Sequence, residues 1–259
     1  FSAAGYLYKK ALPNGKPERL TTGTNFEFEP SFSANGSEIV YVSWNDEETG
    51  AINKLNLADK KVTRITKEKG IFRTPSFSAD GKQIVYWKED GNDHQGGAYC
   101  VNPGLYTIST SGGSATLVTK EGHTPCFAPD GKRIYFHSGE GEGYAYRSCD
   151  LSGNHPQTHF TSSYSGNFSL SPDGKWIAFI ELYKVYIADV PPFGKTLNLS
   201  GGMGSSPMTQ VAKDAGINLH WSFNSQKLHW TLGEEYFTND INKRFSFLPG
   251  APDSIAPMD

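Results

Sequence analysis

Pro75-Ser76-Phe77-Ser78-Ala79-Asp80-Gly81-Lys82-Gln83-Ile84-Val85-Tyr86-Trp87 reads as a short strand, a tight turn and a second strand. The turn needs one residue in the left-handed backbone region, which glycine enters without a Cβ clash, so Asp80-Gly81 closes a hairpin. The β-branched and aromatic run that follows, Ile84 to Trp87, has the composition of a strand. Four further copies of the unit occur: Pro30-Ser31-Phe32-Ser33-Ala34-Asn35-Gly36, Pro125-Cys126-Phe127-Ala128-Pro129-Asp130-Gly131, Phe168-Ser169-Leu170-Ser171-Pro172-Asp173-Gly174 and Leu219-His220-Trp221-Ser222-Phe223-Asn224-Ser225. Their second strands are Ile39 to Tyr41, Ile134 to Phe136, Trp176 to Phe179 and Leu228 to Trp230.

The Asp or Asn positions are 45, 50, 43 and 51 residues apart. That period matches one four-stranded propeller blade and fits poorly with helical repeats of about 34 residues. Apolar residues fall at both parities of the second strands, as expected where each blade has another on either face. The anchors Phe32, Phe77, Phe127, Leu170 and Trp221 of the first strands and Ile39, Ile84, Ile134, Ile177 and Leu228 of the second are therefore expected to be buried between blades. Third and fourth strands follow at Ala51 to Leu57 with Val62 to Thr66, Leu105 to Thr110 with Ala115 to Thr119, Tyr144 to Asp150 with Gln157 to Thr161, and Val185 to Val190 with Thr209 to Ala212. The expectation is an all-β chain, a β-propeller of four-stranded antiparallel blades.

The blades run over about 24–68, 69–120, 121–163, 164–213 and 214–248, and residues 1–23 form a partial blade around the Asn14-Gly15 turn. Strands at Tyr6 to Lys10 and Glu18 to Thr22 supply its outer half. The missing inner half is either the Leu219 to Leu232 hairpin, which gives five blades, or sequence outside this chain, which gives six. Residues 249–259 have the composition of an exit linker. In the fifth copy Ser225 stands where the others have glycine, at a cost of about 1 kcal/mol if the turn is retained.

The 259 residues, 37% hydrophobic and 13% aromatic, suffice for a packed core. No apolar window approaches the roughly 18 residues of a membrane span, which points to a soluble chain. The net charge of −3 comes from interspersed acids and bases and excludes the basic stripe of a nucleic-acid binder. Cys100, Cys126 and Cys149 form no CxxC pair; Cys126 reads as a small core residue, and only Cys100 and Cys149 are plausible disulfide partners. Phe1 to Lys10 lack the features of a secretory leader, so the chain is cytoplasmic or its signal lies upstream.

The residues placed just before each first strand are Glu29, Arg73 with Thr74, His123 with Thr124, Asn167 and Asn218, and these should gather at one mouth of a propeller channel, with His220 lining it. They are the candidate ligand or ion positions, weighed against simple solvation of an open mouth. His229 is expected to face a neighbouring blade. Other constellations carry less. Asp90, Asn92 and Asp93 lack the spacing and closing Glu of a calcium loop, and Gly139 to Gly143 is too acidic for a phosphate cradle. His155 and His159 are separated by Pro156, which precludes a helical ligand pair. There is no His-x-His and no Gly-x-Ser-x-Gly, so no catalytic residues and no metal ligands are assigned.

The unit that runs from Pro75 to Tyr86 resembles the TolB-like, tricorn-type propeller repeat, and the likeness extends from Phe26 to Trp230. Val185-Tyr186-Ile187-Ala188, together with the stretch from Gly216 to Gly233 that carries His220-Trp221 and His229-Trp230, is similar to the terminal blade of propellers fused to amidohydrolase domains in large exported bacterial proteins. The resemblance implies a non-catalytic propeller of a larger periplasmic or secreted protein, docking the catalytic domain or filtering substrate access. Its partner is the catalytic domain of the same polypeptide or another protein, and zinc or a similar metal is expected only in that domain. The alternatives are a stand-alone TolB-like interaction module and, in third place, a metal-dependent propeller lyase.

Overall fold

The computed structural model describes residues 1–90, 101–191, 194–204 and 206–248. Asn92 and Asp93, the thiol of Cys100 and the 249–259 linker lie outside the described residues. Among the described residues, twenty-three short strands form six sheets, followed by one 3-10 turn at Ile241–Lys243. The fold is an all-β, six-bladed propeller of small, mainly antiparallel sheets.

The first sheet holds β1 (Ser2–Ala3), β2 (Tyr6–Lys9) and β3 (Glu18–Arg19). β1 corrects the two-strand expectation for this region: the blade has three strands, and the Leu219 to Leu232 hairpin belongs to a separate sheet. Next comes β4 (Phe26–Phe32), β5 (Glu38–Asn45), β6 (Thr49–Asn56) and β7 (Val62–Arg64), then β8 (Phe72–Phe77), β9 (Gln83–Lys88), β10 (Gly104–Ser109) and β11 (Thr116–Thr119). Both are four-stranded meanders, as expected.

The fourth sheet contains β12 (His123–Phe127), β13 (Arg133–Glu140), β14 (Gly143–Asp150), β15 (Gln157–Ser162) and an additional short strand, β19 (Leu197–Asn198). β19 runs parallel to β15, pairing Leu197 with Phe160. The fifth is β16 (Asn167–Leu170), β17 (Trp176–Glu181), β18 (Lys184–Asp189) and β20 (Met208–Ala215). The last has three strands, β21 (Ile217–Trp221), β22 (Lys227–Leu232) and β23 (Glu235–Asp240). Uniform four-stranded blades were therefore expected too strictly.

The inner hairpin of four of the five repeats is fixed by a small hydrogen-bonded cage; in the third, Ala128 stands where the others have serine. In the second sheet the Gly36 amide donates to the Ser33 carbonyl, and the Ser37 amide donates to Asn35 Oδ1. Ser33 Oγ donates to the same Asn35 oxygen and accepts from the Glu38 amide. Ser78 with Asp80, Ser171 with Asp173 and Ser222 with Asn224 repeat that cage. Gly36, Gly81, Gly131 and Gly174 have φ of 68 to 73°, and Ser225 holds the same left-handed turn at 60°. Ser225 Oγ accepts from the Asp173 amide at 3.0 Å, an interaction a glycine would not make.

The described chain divides into two compact units. One contains Phe1–Phe136 and Ser148–Pro156; the other contains His137–Arg147 and Gln157 onward. In the first, Val40, Ile52, Phe72, Ile84, Tyr86 and Ile108 form the main core; in the second, Trp176, Ile187, Val211, Leu228, Trp230 and Phe245 do. All five anchors expected from the second strands, Ile39, Ile84, Ile134, Ile177 and Leu228, are buried. Among the first-strand anchors Phe77 is buried and Phe127, Leu170 and Trp221 are half-buried. Phe32 is the exception at 62% exposure. It lies opposite Ile39, which packs on Leu7 and Leu20, and the two-to-four-residue strands of the first sheet are too short to cover it.

Candidate functional site

The residue preceding the repeat proline lies within the first strand rather than before it. Glu29, Thr74 and Thr124 have φ of 52, 46 and 51°, and Asn218, one position before Leu219, has 57°. Non-glycine residues in this region are strained, and a following proline narrows their choice further. The strain coincides with register breaks between Phe28 and Ser31, Arg73 and Ser76, and Ile217 and His220. A bulge of this kind swings one side chain out of strand alternation and re-aims it. Asn167 departs from the pattern: it pairs with Ile180 in unbroken register and its side chain is exposed.

In the first unit the bulges bring Glu29, Arg73 and Thr74 together. Arg73 Nε donates to Glu29 Oε1 at 2.7 Å, while the Thr74 amide donates to Glu29 Oε2. Arg73 Nη1 also reaches Glu89 Oε2 at 3.3 Å. Both oxygens of Glu29 are thus engaged, one by a guanidinium and one by the strained amide of the next blade. A carboxylate held in this way ties β4 to β8 and is poorly placed to act as a general base. His123 Nδ1 lies 3.0 Å from Thr124 Oγ1, with its ring 5.6 Å from that of Trp87. Burial lowers the His123 pKa, favouring neutral imidazole.

In the second unit Asn218 and His220 belong to a polar aromatic face of the last sheet. His220 Nδ1 is 2.8 Å from the Asn218 carbonyl, which only accepts, so Nδ1 carries the proton and Nε2 accepts from the Tyr236 hydroxyl at 3.1 Å. His220 stacks on His229 at 5.2 Å, and His229 stacks on Tyr236 at 5.4 Å. His229 Nδ1 is 2.8 Å from Thr238 Oγ1, and Asn218 Nδ2 donates to Thr231 Oγ1. The two histidines are directly paired across β21 and β22, so they share one face; the expectation that His220 and His229 point to different environments is corrected. Desolvation under the stack, followed by His220 and Lys227, pushes the His229 pKa down to about 4. His220 is lowered as well, first by desolvation of its ring.

Sequence reasoning named eight positions and missed Glu89, Trp87, His229 as the partner of His220, and Tyr236. The signal for His229 was its place opposite His220 in a hairpin closed by a four-residue turn. Nothing comparable marked Glu89. Among the described residues no group of three or more His, Cys, Asp or Glu side chains is arranged to hold a metal ion. His155 pairs with Asp150 at 2.9 Å on the surface. Gly139 to Gly143 forms the β13–β14 hairpin, with Gly141 at φ 57°. The Cys149 thiol is free and buried, and burial pushes its pKa up to about 11.

No family model matches the sequence, and no curated protein matches it. Solved structures do. TolB from Acinetobacter baumannii is 23% identical with a TM-score of 0.62, covering 83% of this chain and 50% of that one. The putative TolB from Agrobacterium tumefaciens is 16% identical with a TM-score of 0.59, covering 83% of this chain and 73% of its own. An oligogalacturonate lyase solved in complex with manganese is 11% identical with a TM-score of 0.61, covering 87% of this chain and 67% of that one. The chain spans half the length of the Acinetobacter protein. At these identities the likeness establishes the fold, and the fold is a TolB-like β-propeller.

Proposed function

We propose that this chain is a non-catalytic propeller of a larger exported bacterial protein of the amidohydrolase type, serving to dock the catalytic domain or control substrate access. One observation carries the docking role. β23 is an edge strand of its sheet, and Glu235, Tyr236 and Thr238 on it are exposed. An edge strand presents unpaired backbone donors and acceptors, a ready template for another polypeptide. The exposed rings of Tyr236 and Phe247 add apolar area beside it, so the docking surface runs from Glu234 to Leu248. Any metal belongs to the partner domain. The resemblance of the Gly216 to Gly233 hairpin to the blade that adjoins amidohydrolase barrels supports the identity of that partner.

A second reading, a stand-alone interaction propeller, draws equal support from the TolB structures. The reading frame after the codon for Asp259 separates the two. A continuation that encodes a His-x-His metal site supports the first, and a stop codon supports the second. Turnover of amide or ester substrates by the purified chain, abolished by His123→Ala or His220→Ala, would overturn both.

A further inference from the structure

Tyr86 and Lys88 stand two residues apart on β9 and so point to the same side of their sheet. Tyr86 is fully buried, and its hydroxyl oxygen has no hydrogen-bond partner among the described residues. Lys88 is 4% exposed, and its ammonium donates to Glu68 Oε2 at 2.9 Å. That bond uses one of three protons. Burial, then Glu68 and Tyr106, raise the Tyr86 pKa, so the hydroxyl keeps its proton at neutral pH and remains a donor. Buried donors without acceptors are costly and uncommon, and a ligand is one of the ways they are satisfied.

Both side chains line a cavity of about 340 Å³ within the first unit. Tyr106 and Ile108 form an apolar wall, and Lys67 and Glu68 lie at its polar side. Tyr86 and Tyr106 are stacked with centroids 5.8 Å apart, which gives that wall a flat aromatic floor. The two lysines against one glutamate leave one positive charge unmatched. A metal cation would be repelled, and a neutral ligand would leave the second lysine charge without an anionic partner. A phosphate dianion overcharges the site and leaves the aromatic wall uncovered.

We infer that this cavity binds a small monocarboxylate, its oxygens accepting from Tyr86 Oη–H and Lys88 Nζ–H and its body lying against Tyr106 and Ile108. The site is independent of the docking role, since no lining residue belongs to the last sheet.

Titration calorimetry with acetate, lactate and benzoate tests it, with benzamide and inorganic phosphate as comparisons. At least one carboxylate is expected to bind with a dissociation constant below about 10 mM, weakly as suits a ligand of few atoms. Benzamide should not bind. Tyr86→Phe should weaken the carboxylate about tenfold or more, the usual cost of one hydrogen bond to a charged group, and Lys88→Met should abolish binding. Without ligand, Tyr86→Phe should melt at the same or a higher temperature, because it removes an unpaired buried hydroxyl. The proposal fails if none of the three carboxylates binds, if phosphate or benzamide binds more tightly, if Tyr86→Phe leaves affinity unchanged, or if that variant without ligand melts lower, which would give the hydroxyl an internal partner.

Discussion

The sheet β8–β11 and the sheet β21–β23 start from the same repeat and end in different environments. Along β9, Ile84, Val85 and Tyr86 are all without solvent exposure, so both faces of that sheet are covered. Along β22 only Leu228 and Trp230 are buried, while His229 between them and Thr231 after them are partly exposed. The residues obey this difference. Where both faces are covered, consecutive positions are apolar; where one face is covered, an apolar residue alternates with a polar one that can meet solvent or a partner. A propeller repeat thus records, strand by strand, whether its blade is covered on both sides.

The largest effect that sharpens the contrast is in the cores. Ile84→Ala should destabilise by about 2 to 5 kcal/mol, since the site is fully buried among Val40, Phe72 and Tyr86 and a cavity would remain. Ile217→Ala, on the exposed face of the last sheet, should stay within about 0.5 kcal/mol of the parent chain. Urea denaturation monitored by tryptophan fluorescence measures both. Similar losses at the two positions would mean that the last sheet is also covered on both faces.

A smaller effect is expected at the bulge in the first unit. Arg73→Ala leaves the half-buried Glu29 carboxylate with the Thr74 amide alone and should cost about 1 to 2 kcal/mol. A double-mutant cycle with Glu29→Gln isolates the pair. An interaction near zero would reduce the clamp to a surface contact.

The turns offer a comparison of about 1 kcal/mol. Gly81→Ser places a Cβ in open space but at φ 68°, so backbone strain alone should cost about 1 kcal/mol. Ser225→Gly relieves the same strain and forfeits the bond from the Asp173 amide, so the two changes offset to within about 0.5 kcal/mol. If Ser225→Gly instead stabilises by a full kcal/mol, the Oγ contact contributes nothing.

Blade period, hairpin positions and second-strand anchors were legible because each depends on local chemistry: glycine at a left-handed turn, β-branched runs after it. Phe32 misled because its exposure depends on the length of a different sheet. Glu29 and Thr74 were found as polar residues near a strand, but their joint grip arises from bulges, and a strained φ before proline leaves no mark in composition. β1 and β19, at two residues each, carry too little sequence to show a period. Tyr86 was read only as part of a strand that ended at Trp87, one residue short of Lys88, and alternation says nothing of whether polar atoms that share a face find partners.

The last comparison concerns protons on the last sheet. Free histidine titrates near 6.5, whereas His229 is held down to about 4 by desolvation and by its stacked neighbour His220. Between those values the unfolded chain binds a proton that the folded chain does not, so stability from this group is fully present above pH 6.5 and declines as pH falls toward 4. Imidazole chemical shifts should show His229 titrating near 4 in the folded chain, and His229→Gln should flatten the acid-side slope of stability in that window. Tyr236→Leu should raise the His229 midpoint only slightly, because a ring contact is lost while His220 remains. A folded-state midpoint near 6.5 would show that the stack does not persist in solution, and the last sheet would then present independent polar side chains rather than an ordered aromatic face.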